Sequence, residues 1–377
     1  MNFTLSEEQE MLRTMGRDFL ADKCPKTLVR ELEADEKGYS LDLWREMVGL
    51  GWMGLVFPEE YGGSGMTFLD LAVLMEETGR ACLPGPYFST VVLGGLPILN
   101  HGSDEQKQEY LFKIANGEAI FTLALTESSA GYGAGSIEVT AVADGDNYVI
   151  NGTKLFVPDA HIADYLICVA RTDEKADPEN GVTVFIVDAK NPGVSCTVLN
   201  TIARDKLCEV VFDQVKVPEV NILGGLNQGW GVVQGIIRQA AVAKCCFTVG
   251  AMQQALDITV EYAKERKQYD RPIGSFQIIQ HYCTNMATDV EGSRLSTYEA
   301  AWRLNQGLPC AKEIAIAKAY TGEAFERVST LAHQIHGAIG CTIDYDLQFY
   351  TRYGKAAVLS FGDGDFYREI VAQEMGL

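Results

Sequence analysis

The sequence predicts an α+β fold in three parts. These are an N-terminal helical domain over residues 1–118, a central antiparallel β domain over 119–223, and a C-terminal four-helix bundle over 224–377. Three observations predict it. Up to about residue 118 apolar residues recur at helical spacing; from Phe121 they alternate in short runs between turn residues; from Gly229 long helical faces return.

In the first part, Ser6 and Gln9 are spaced as a capping box at the start of a helix, and Ser103 and Gln106 form a second. The second box opens a helix running through Lys113 that Gly117 ends. Leu71, Leu74, Met75 and Thr78 share one helical face. The apolar run Trp52–Pro58 ends in a Gly-rich turn, Glu59 to Gly65.

The β part begins with a strand, Phe121–Leu125, which leads through Thr126-Glu127-Ser128-Ser129 into the loop Gly131-Tyr132-Gly133-Ala134-Gly135. Strands follow at Glu138–Ala143 and Tyr148–Ile150 around an Asp144-Gly145 turn. Asn151-Gly152 predicts another tight turn, because both residues tolerate positive φ. The strand after it, Lys154–Val157, carries Phe156 and meets Pro158. Further strands are predicted at Tyr165–Arg171, Val182–Asp188, Cys196–Leu199 and Glu209–Val217. The Gly131 loop is not a dinucleotide fingerprint, since its spacing is wrong and a strand follows it where a helix should. A bare backbone loop beside an aromatic strand suits a flat ring with polar edges. A β-meander with ordinary turns is the other reading.

In the last part, Met252, Ala255, Leu256, Thr259, Val260 and Ala263 form one long apolar face. A break at Ile273-Gly274 precedes a helix carrying Phe276, Ile279, Cys283 and Met286, and two more follow over Cys310–Ala332 and Asp346–Ser360.

The totals exclude several classes. A net charge of −20 argues against nucleic acid or an anionic membrane surface as partner. No apolar run reaches the ~18 residues of a membrane span. None of the ten cysteines is spaced CxxC, and no secretory or transit segment is visible, so a reduced, cytoplasmic protein is expected. The five histidines show no HExxH pattern, no serine sits in a GxSxG elbow, and the cysteines read as small core residues, so no metal is expected.

Several segments together resemble the acyl-CoA dehydrogenase family of flavoproteins, and the match covers nearly the whole chain. Glu265 to Gln277 resembles ER-x-(Q/T)-F-G-x-x-I-x-x-F-Q, Leu125 to Gly131 resembles the LTEP-x-AG flavin loop, and Asn151 to Lys154 resembles the NG-x-K hairpin. Gln334 to Gly340 resembles Q-x-x-GG-x-G, and Gly51 to Gly65 resembles G-x-P-x-x-YGG. The resemblance implies FAD bound between the β domain and the C-terminal bundle, an acyl-CoA substrate, electron transfer to an electron-transfer flavoprotein, and a homotetramer. It implies that Thr126, with the backbone of Leu125 and Gly131, holds the isoalloxazine, and that Phe156 covers it where most relatives carry Trp. Arg266 would grip the diphosphate from across a subunit boundary, a task suited to its planar fork. Tyr269, Gln277, Gln334 and Gly337 would line the adenosine side. The acyl chain would lie between Tyr132, Phe361 and the helix bearing Arg238 and Gln239.

The family reaction needs a desolvated carboxylate that takes the proton next to the thioester carbonyl while hydride leaves the next carbon for the flavin. That carboxylate is usually the Glu of a Y-E-G-T segment. Here Phe361 matches the Tyr and Gly362 the Glu, and Gln239 occupies the alternative base position. Tyr132-Gly133 replaces the loop's Ser-Asp, and Pro158 offers no hydroxyl or N–H where relatives often carry a hydroxyl residue. Three readings stand. Asp363 or Asp365 is a relocated base, although either would also cap the terminal helix. Alternatively, the substrate is atypical, such as a cyclic acyl-CoA or one undergoing elimination or loss of sulfinate. In the third, the chain is the base-less subunit of a heteromeric dehydrogenase.

Overall fold

The computed structural model describes residues 4–377. The chain begins with α1 (Glu7–Lys23), α2 (Lys26–Ala34), α3 (Leu41–Gly49) and α4 (Phe68–Ala81). It continues through α5 (Leu96–His101), α6 (Asp104–Gln106) and α7 (Phe112–Ala115), with a π-helical turn joining the last two. Strands β1 (Phe121–Ala124), β2 (Thr140–Asp144), β3 (Asn147–Pro158), β4 (Tyr165–Arg171), β5 (Val182–Asp188), β6 (Val194–Val198), β7 (Leu207–Pro218) and β8 (Ile222–Leu223) follow. Then come α8 (Gly229–Glu265), the short hairpin β9 (Lys267–Gln268) and β10 (Arg271–Pro272), α9 (Gln277–Asn305), α10 (Ala311–His336), α11 (Leu347–Leu359) and α12 (Gly364–Glu374).

Packing divides the chain into two compact units. One holds the residues up to Arg30, Thr67–Leu83 and Ala240–Leu377; the other holds Glu31–Met66 and Pro84–Gln239.

The helical unit is built on α4, α8, α9 and α10. Both ends of α1's capping box are made, Gln9 N–H to Ser6 Oγ at 3.2 Å and Ser6 N–H to Gln9 Oε1 at 3.1 Å. The predicted face of α4 is buried at Leu71, Leu74, Met75 and Thr78. Two buried carboxylates on α4 tie it to its neighbours. Glu77 accepts two bonds from Arg17 on α1, while Glu76 accepts from Arg294 and Tyr298 on α9. The segment 224–377 contains five helices, the last of them α12, capped by Asp363 as the sequence allowed. By length and composition alone α8 is apolar enough to cross a membrane, contrary to expectation, but 67% of its most apolar window is buried within the chain, as in a core helix.

The other unit carries an eight-stranded sheet of order β6-β7-β3-β2-β4-β5-β8, with β1 beside β4. The expected antiparallel sheet is in fact mixed. β1 runs parallel to β4, pairing Phe121 with Tyr165, and β2 touches β4 in parallel at Thr140 and Arg171. The β2–β3 hairpin between β1 and β4 supplies the long connection that parallel pairing needs. β4 and β5 have their expected bounds.

The Asn151-Gly152 turn is not a turn. β3 runs through it and stays paired with β7, with register shifts between Ile150 and Gly152 and again between Lys154 and Val157. Asn151 Oδ1 accepts from both the backbone N–H and the side-chain amide of Gln214, each at 2.8 Å, so the asparagine bridges a bulge. Gly152 has φ 135°, and a Cβ there would lie 2.8 Å from a Val139 methyl. The residue pair that would close a hairpin here kinks a continuous strand.

Candidate functional site

The sheet unit holds the residues matched to the flavin loop. Strand β1 delivers Leu125, Thr126 and Glu127 to the loop. Leu155 N–H donates to Thr126 O at 2.8 Å, which brings the neighbouring Phe156 alongside Thr126. Phe156 sits in the second bulge with φ 53° and is 53% exposed. An apolar ring held outward by a strained backbone marks a ligand surface more than a packing residue.

Beneath the loop lies a buried ion pair that the sequence reading did not single out. Lys154 Nζ donates to Glu127 Oε1 at 2.5 Å and to Leu125 O at 3.1 Å. Glu127 also accepts from Glu138 N–H at 2.9 Å and Val139 N–H at 3.1 Å. Burial pulls the Lys154 ammonium below the usual lysine range, opposed by Cys168 and Glu127. Removing one partner of such a pair costs about 3–5 kcal/mol, because it strands the other charge. The signal was present as the Glu of the LTE segment and the Lys of NG-x-K, but their contact spans 27 residues.

The glycine loop is tethered at its far end. Ser136 Oγ lies 2.9 Å from Gly131 O and 2.7 Å from Gly133 O, and Arg171 donates to Ile137 O and Ala134 O. Tyr132 is 44% exposed at the loop's crest. Pro158 O accepts from Thr122 Oγ1 at 2.5 Å. In the same unit, Asn100 Nδ2 donates to Gln239 Oε1 at 3.4 Å, and the neighbouring Arg238 is exposed.

The helical unit holds the residues matched to the adenosine side and the diphosphate. Tyr269 and Asp270 both have positive φ and close the β9–β10 hairpin as a primed turn. Tyr269 packs edge-on to Phe276, and the Arg271 guanidinium lies 4.1 Å from the Phe276 ring centre. Arg266 and Gln277 flank this hairpin, both exposed. Gln334 and Gly337 end α10, Gly337 with φ 64°. The ends of α8 and α10 are joined by Tyr262 stacked on His336, centroids 4.4 Å apart, with His336 Nε2 3.1 Å from the Tyr345 hydroxyl. Burial, with His333 nearby, lowers the His336 pKa despite its bond to Ala332 O. Arg266, Tyr269 and Gln277 thus lie at one junction, while Gln334 lies in the last turn of α10 and Gly337 caps it.

The turn between α11 and α12 holds the residues matched to the base position. Asp363 is the cap of α12, its Oδ1 accepting from Phe366 N–H at 2.9 Å. Asp365 points outward, 91% exposed at its side chain, and pairs with Arg368 at 2.6 Å. Asp363 is thus engaged as a cap, and within this chain Asp365 is not desolvated as a base must be. Gly362 has φ 107°, and a Cβ there would meet the Tyr367 and Phe366 rings at 2.6 and 2.7 Å. A residue with a side chain would be strained there, so the backbone suits a register with Gly362 on the Gly of Y-E-G-T and Phe361 on its Glu better than one with Gly362 on the Glu. Phe361 has φ 59°, and the position still carries no ionisable group. Lys318, also missed, lies beneath this turn. Buried on α10, it donates to Ala357 O and Val358 O at the end of α11, at 3.1 and 2.9 Å. Burial lowers its pKa to about 8.

Family models for the N-terminal, middle and C-terminal domains of acyl-CoA dehydrogenase match residues 6–118, 122–215 and 227–376. The chain belongs to the acyl-CoA dehydrogenase family. It is 34% identical, over the full length of both chains, to a probable acyl-CoA dehydrogenase, YngJ, of Bacillus subtilis. It is 32% identical to the caffeyl-CoA reductase–Etf complex subunit CarC of Acetobacterium woodii, over 91% of each chain. The structure of butyryl-CoA dehydrogenase from Megasphaera elsdenii superposes with a TM-score of 0.93 at 29% identity, each chain fully covered. Acyl-CoA dehydrogenases bind FAD and are oxidoreductases acting on CH–CH groups. The residues present fit that cofactor: an outward aromatic pinned beside Thr126, a tethered glycine loop, and an exposed arginine at a rigid hairpin.

Proposed function

We propose that this acyl-CoA dehydrogenase-family enzyme dehydrogenates an atypical acyl-CoA, cyclic or otherwise unusual, without the family's usual glutamate. The observation that supports this is the Phe361–Gly362 turn, which carries no carboxylate and where a side chain at Gly362 would crowd the Phe366 and Tyr367 rings. Bound FAD would supply the hydride acceptor. Thr126, with the backbone of Leu125 and Gly131, would orient its ring, and Phe156 would exclude water from one face. Arg266 of an adjoining protomer would neutralise the diphosphate, with Tyr269, Gln277, Gln334 and Gly337 on the adenosine side. Tyr132, Phe361, Arg238 and Gln239 would line the acyl group. Such a pocket suits a substrate whose proton is already acidic or whose leaving group is not a proton. A homotetramer, a cytoplasmic setting and electron transfer to an electron-transfer flavoprotein belong to this reading; the three-domain division 1–118, 119–223 and 224–377 is proposed with it.

Likeness to a caffeyl-CoA reductase subunit favours a second reading, in which the chain runs toward reduction of an unsaturated acyl-CoA. One experiment separates the two. The purified enzyme is incubated with butyryl-, cyclohexenecarboxyl- and sulfinopropionyl-CoA, with an electron acceptor, and the products are identified by mass spectrometry. A parallel series offers enoyl-CoAs with a reductant. Turnover of the cyclic or sulfino compound, with butyryl-CoA left intact, is expected. Ordinary turnover of butyryl-CoA would count against the proposal.

A further inference from the structure

We propose that Cys196, Cys208 and His161 form an oxidisable dithiol site, in which Cys196 reacts with hydrogen peroxide and Cys208 then closes a disulfide with it. Strands β6 and β7 pair Cys196 with Val210 and Val198 with Cys208, so the two cysteines lie diagonally on one face. Proximity to Cys208 pulls the Cys196 thiol below the usual cysteine range and raises that of Cys208. Cys208 is buried, whereas Cys196 is exposed on the edge strand of the sheet.

His161 completes the arrangement. Its Nε2 lies 3.1 Å from Lys37 O, a pure acceptor, so Nε2 carries the proton. Nδ1 is then the acceptor, 3.8 Å from Cys208 Sγ. The three groups lie in a row, with an exposed sulfur outside, a buried thiol beside it and a base behind that. Thiolate character and access decide which cysteines oxidise, and a resolving thiol nearby is the usual mark of a reversible site.

The chemistry balances. The Cys196 sulfur attacks one peroxide oxygen; the S–O bond forms as the O–O bond breaks, and hydroxide leaves and takes up the thiol's proton as water. The Cys208 sulfur then attacks the Cys196 sulfur, the S–S bond forms and the S–O bond breaks. A second water leaves with the proton that Cys208 passes through His161 Nδ1. Two thiols lose two electrons, and peroxide becomes two waters.

A diagonal pair spans about 7–8 Å between Cα atoms, beyond the ~7 Å up to which a disulfide closes without backbone movement. Closure therefore draws β6 inward, which an edge strand with one neighbour allows. The movement reaches the candidate flavin loop, because Cys208 is paired with Val157 and Leu207 with Pro158, directly beside Phe156. Oxidation at the sheet edge shifts the bulge that presents Phe156.

Cys341 is the internal control. It is the other exposed cysteine, hydrogen-bonded to His333 Nδ1 at 3.7 Å in place of a second thiol. The FAD-loaded protein is titrated with hydrogen peroxide, free thiols are alkylated, and peptides are mapped. Expected is a Cys196–Cys208 disulfide forming roughly tenfold faster than any change at Cys341. Cys208→Ser should trap a sulfenic acid at Cys196 that dimedone captures, and His161→Phe should slow disulfide closure without slowing sulfenic acid formation. Bound-flavin absorbance should shift on oxidation and return with dithiothreitol. Equal reaction at Cys341, or Cys196 overoxidised with no disulfide in the unmutated protein, would overturn the proposal even if the variants fail to fold. A disulfide that leaves the flavin spectrum unchanged would overturn the link to Phe156.

Discussion

Lys318 shows how one buried charge shapes both stability and the site. It is almost fully enclosed, and its ammonium is satisfied by the last carbonyls of α11, where the helix dipole favours a cation. Burial lowers its pKa from 10.5 to about 8, with Lys244 adding to the effect and Cys245 and Asp363 opposing it. The unfolded state then binds more protons than the folded state between those values, so stability rises with pH through that window. The gap corresponds to about 3 kcal/mol, fully unfavourable below pH 8 and relieved by pH 10.5. Above pH 9 buried Cys245, raised to about 11, pulls the other way, since the folded state keeps its proton. Urea unfolding from pH 7 to 9 should therefore show the natural chain gaining stability relative to Lys318→Met. An unchanged difference would mean that Lys318 does not titrate there.

Individual residues also show what the sequence made legible. The capping boxes at Ser6 and Ser103 were readable because both partners lie within three positions. Glu127 and Lys154 were visible as motif letters, but their contact depends on β3 passing beneath the loop. The register of the base position was harder to read, because the φ of Gly362 cannot be seen in a sequence that has glycines at both 362 and 364.

At the scale of elements, strands β4 and β5 were legible because they are continuous apolar runs between clear turn signals. β3 was not. Asn-Gly tolerates positive φ in a hairpin and in a bulge alike, and only pairing with β7 distinguishes them. α12 was legible only through its aspartate cap, because its apolar face is short. The α11–α12 turn yields a prediction of its own. Gly362→Glu, the change suggested by a naive motif match, should lower stability by about 1–3 kcal/mol from backbone strain alone, with further loss from the Phe366 and Tyr367 rings. Phe361→Glu should fold with a smaller penalty, since that position already holds a side chain at φ 59°. Thermal unfolding of the two variants side by side tests this; equal stability would refute the assigned register.

For the whole molecule, the switch in periodicity near residues 119 and 224 was enough to order helices, sheet and helices. What periodicity could not reveal is the long-range packing that joins the early segment Thr67–Leu83 to the helices after Ala240. The assembly carries a prediction. If Arg266 grips the diphosphate, Arg266→Gln removes a charge-assisted bond of about 1.5–3 kcal/mol and weakens FAD binding by roughly tenfold to a hundredfold. Flavin-to-protein ratio after gel filtration, with sedimentation to follow the oligomer, measures it. Full retention of FAD would remove Arg266 from the site.

The central claim is that the family's proton-abstracting group is absent here because Phe361 stands in its place. Anaerobic rapid mixing with butyryl-CoA, following the loss of flavin colour, tests it most directly. A positioned base is worth about 10²–10⁴-fold in rate, so the natural chain should bleach slower than Phe361→Glu by about that factor. Bleaching of the natural chain at a rate equal to or above that of the variant would contradict the account.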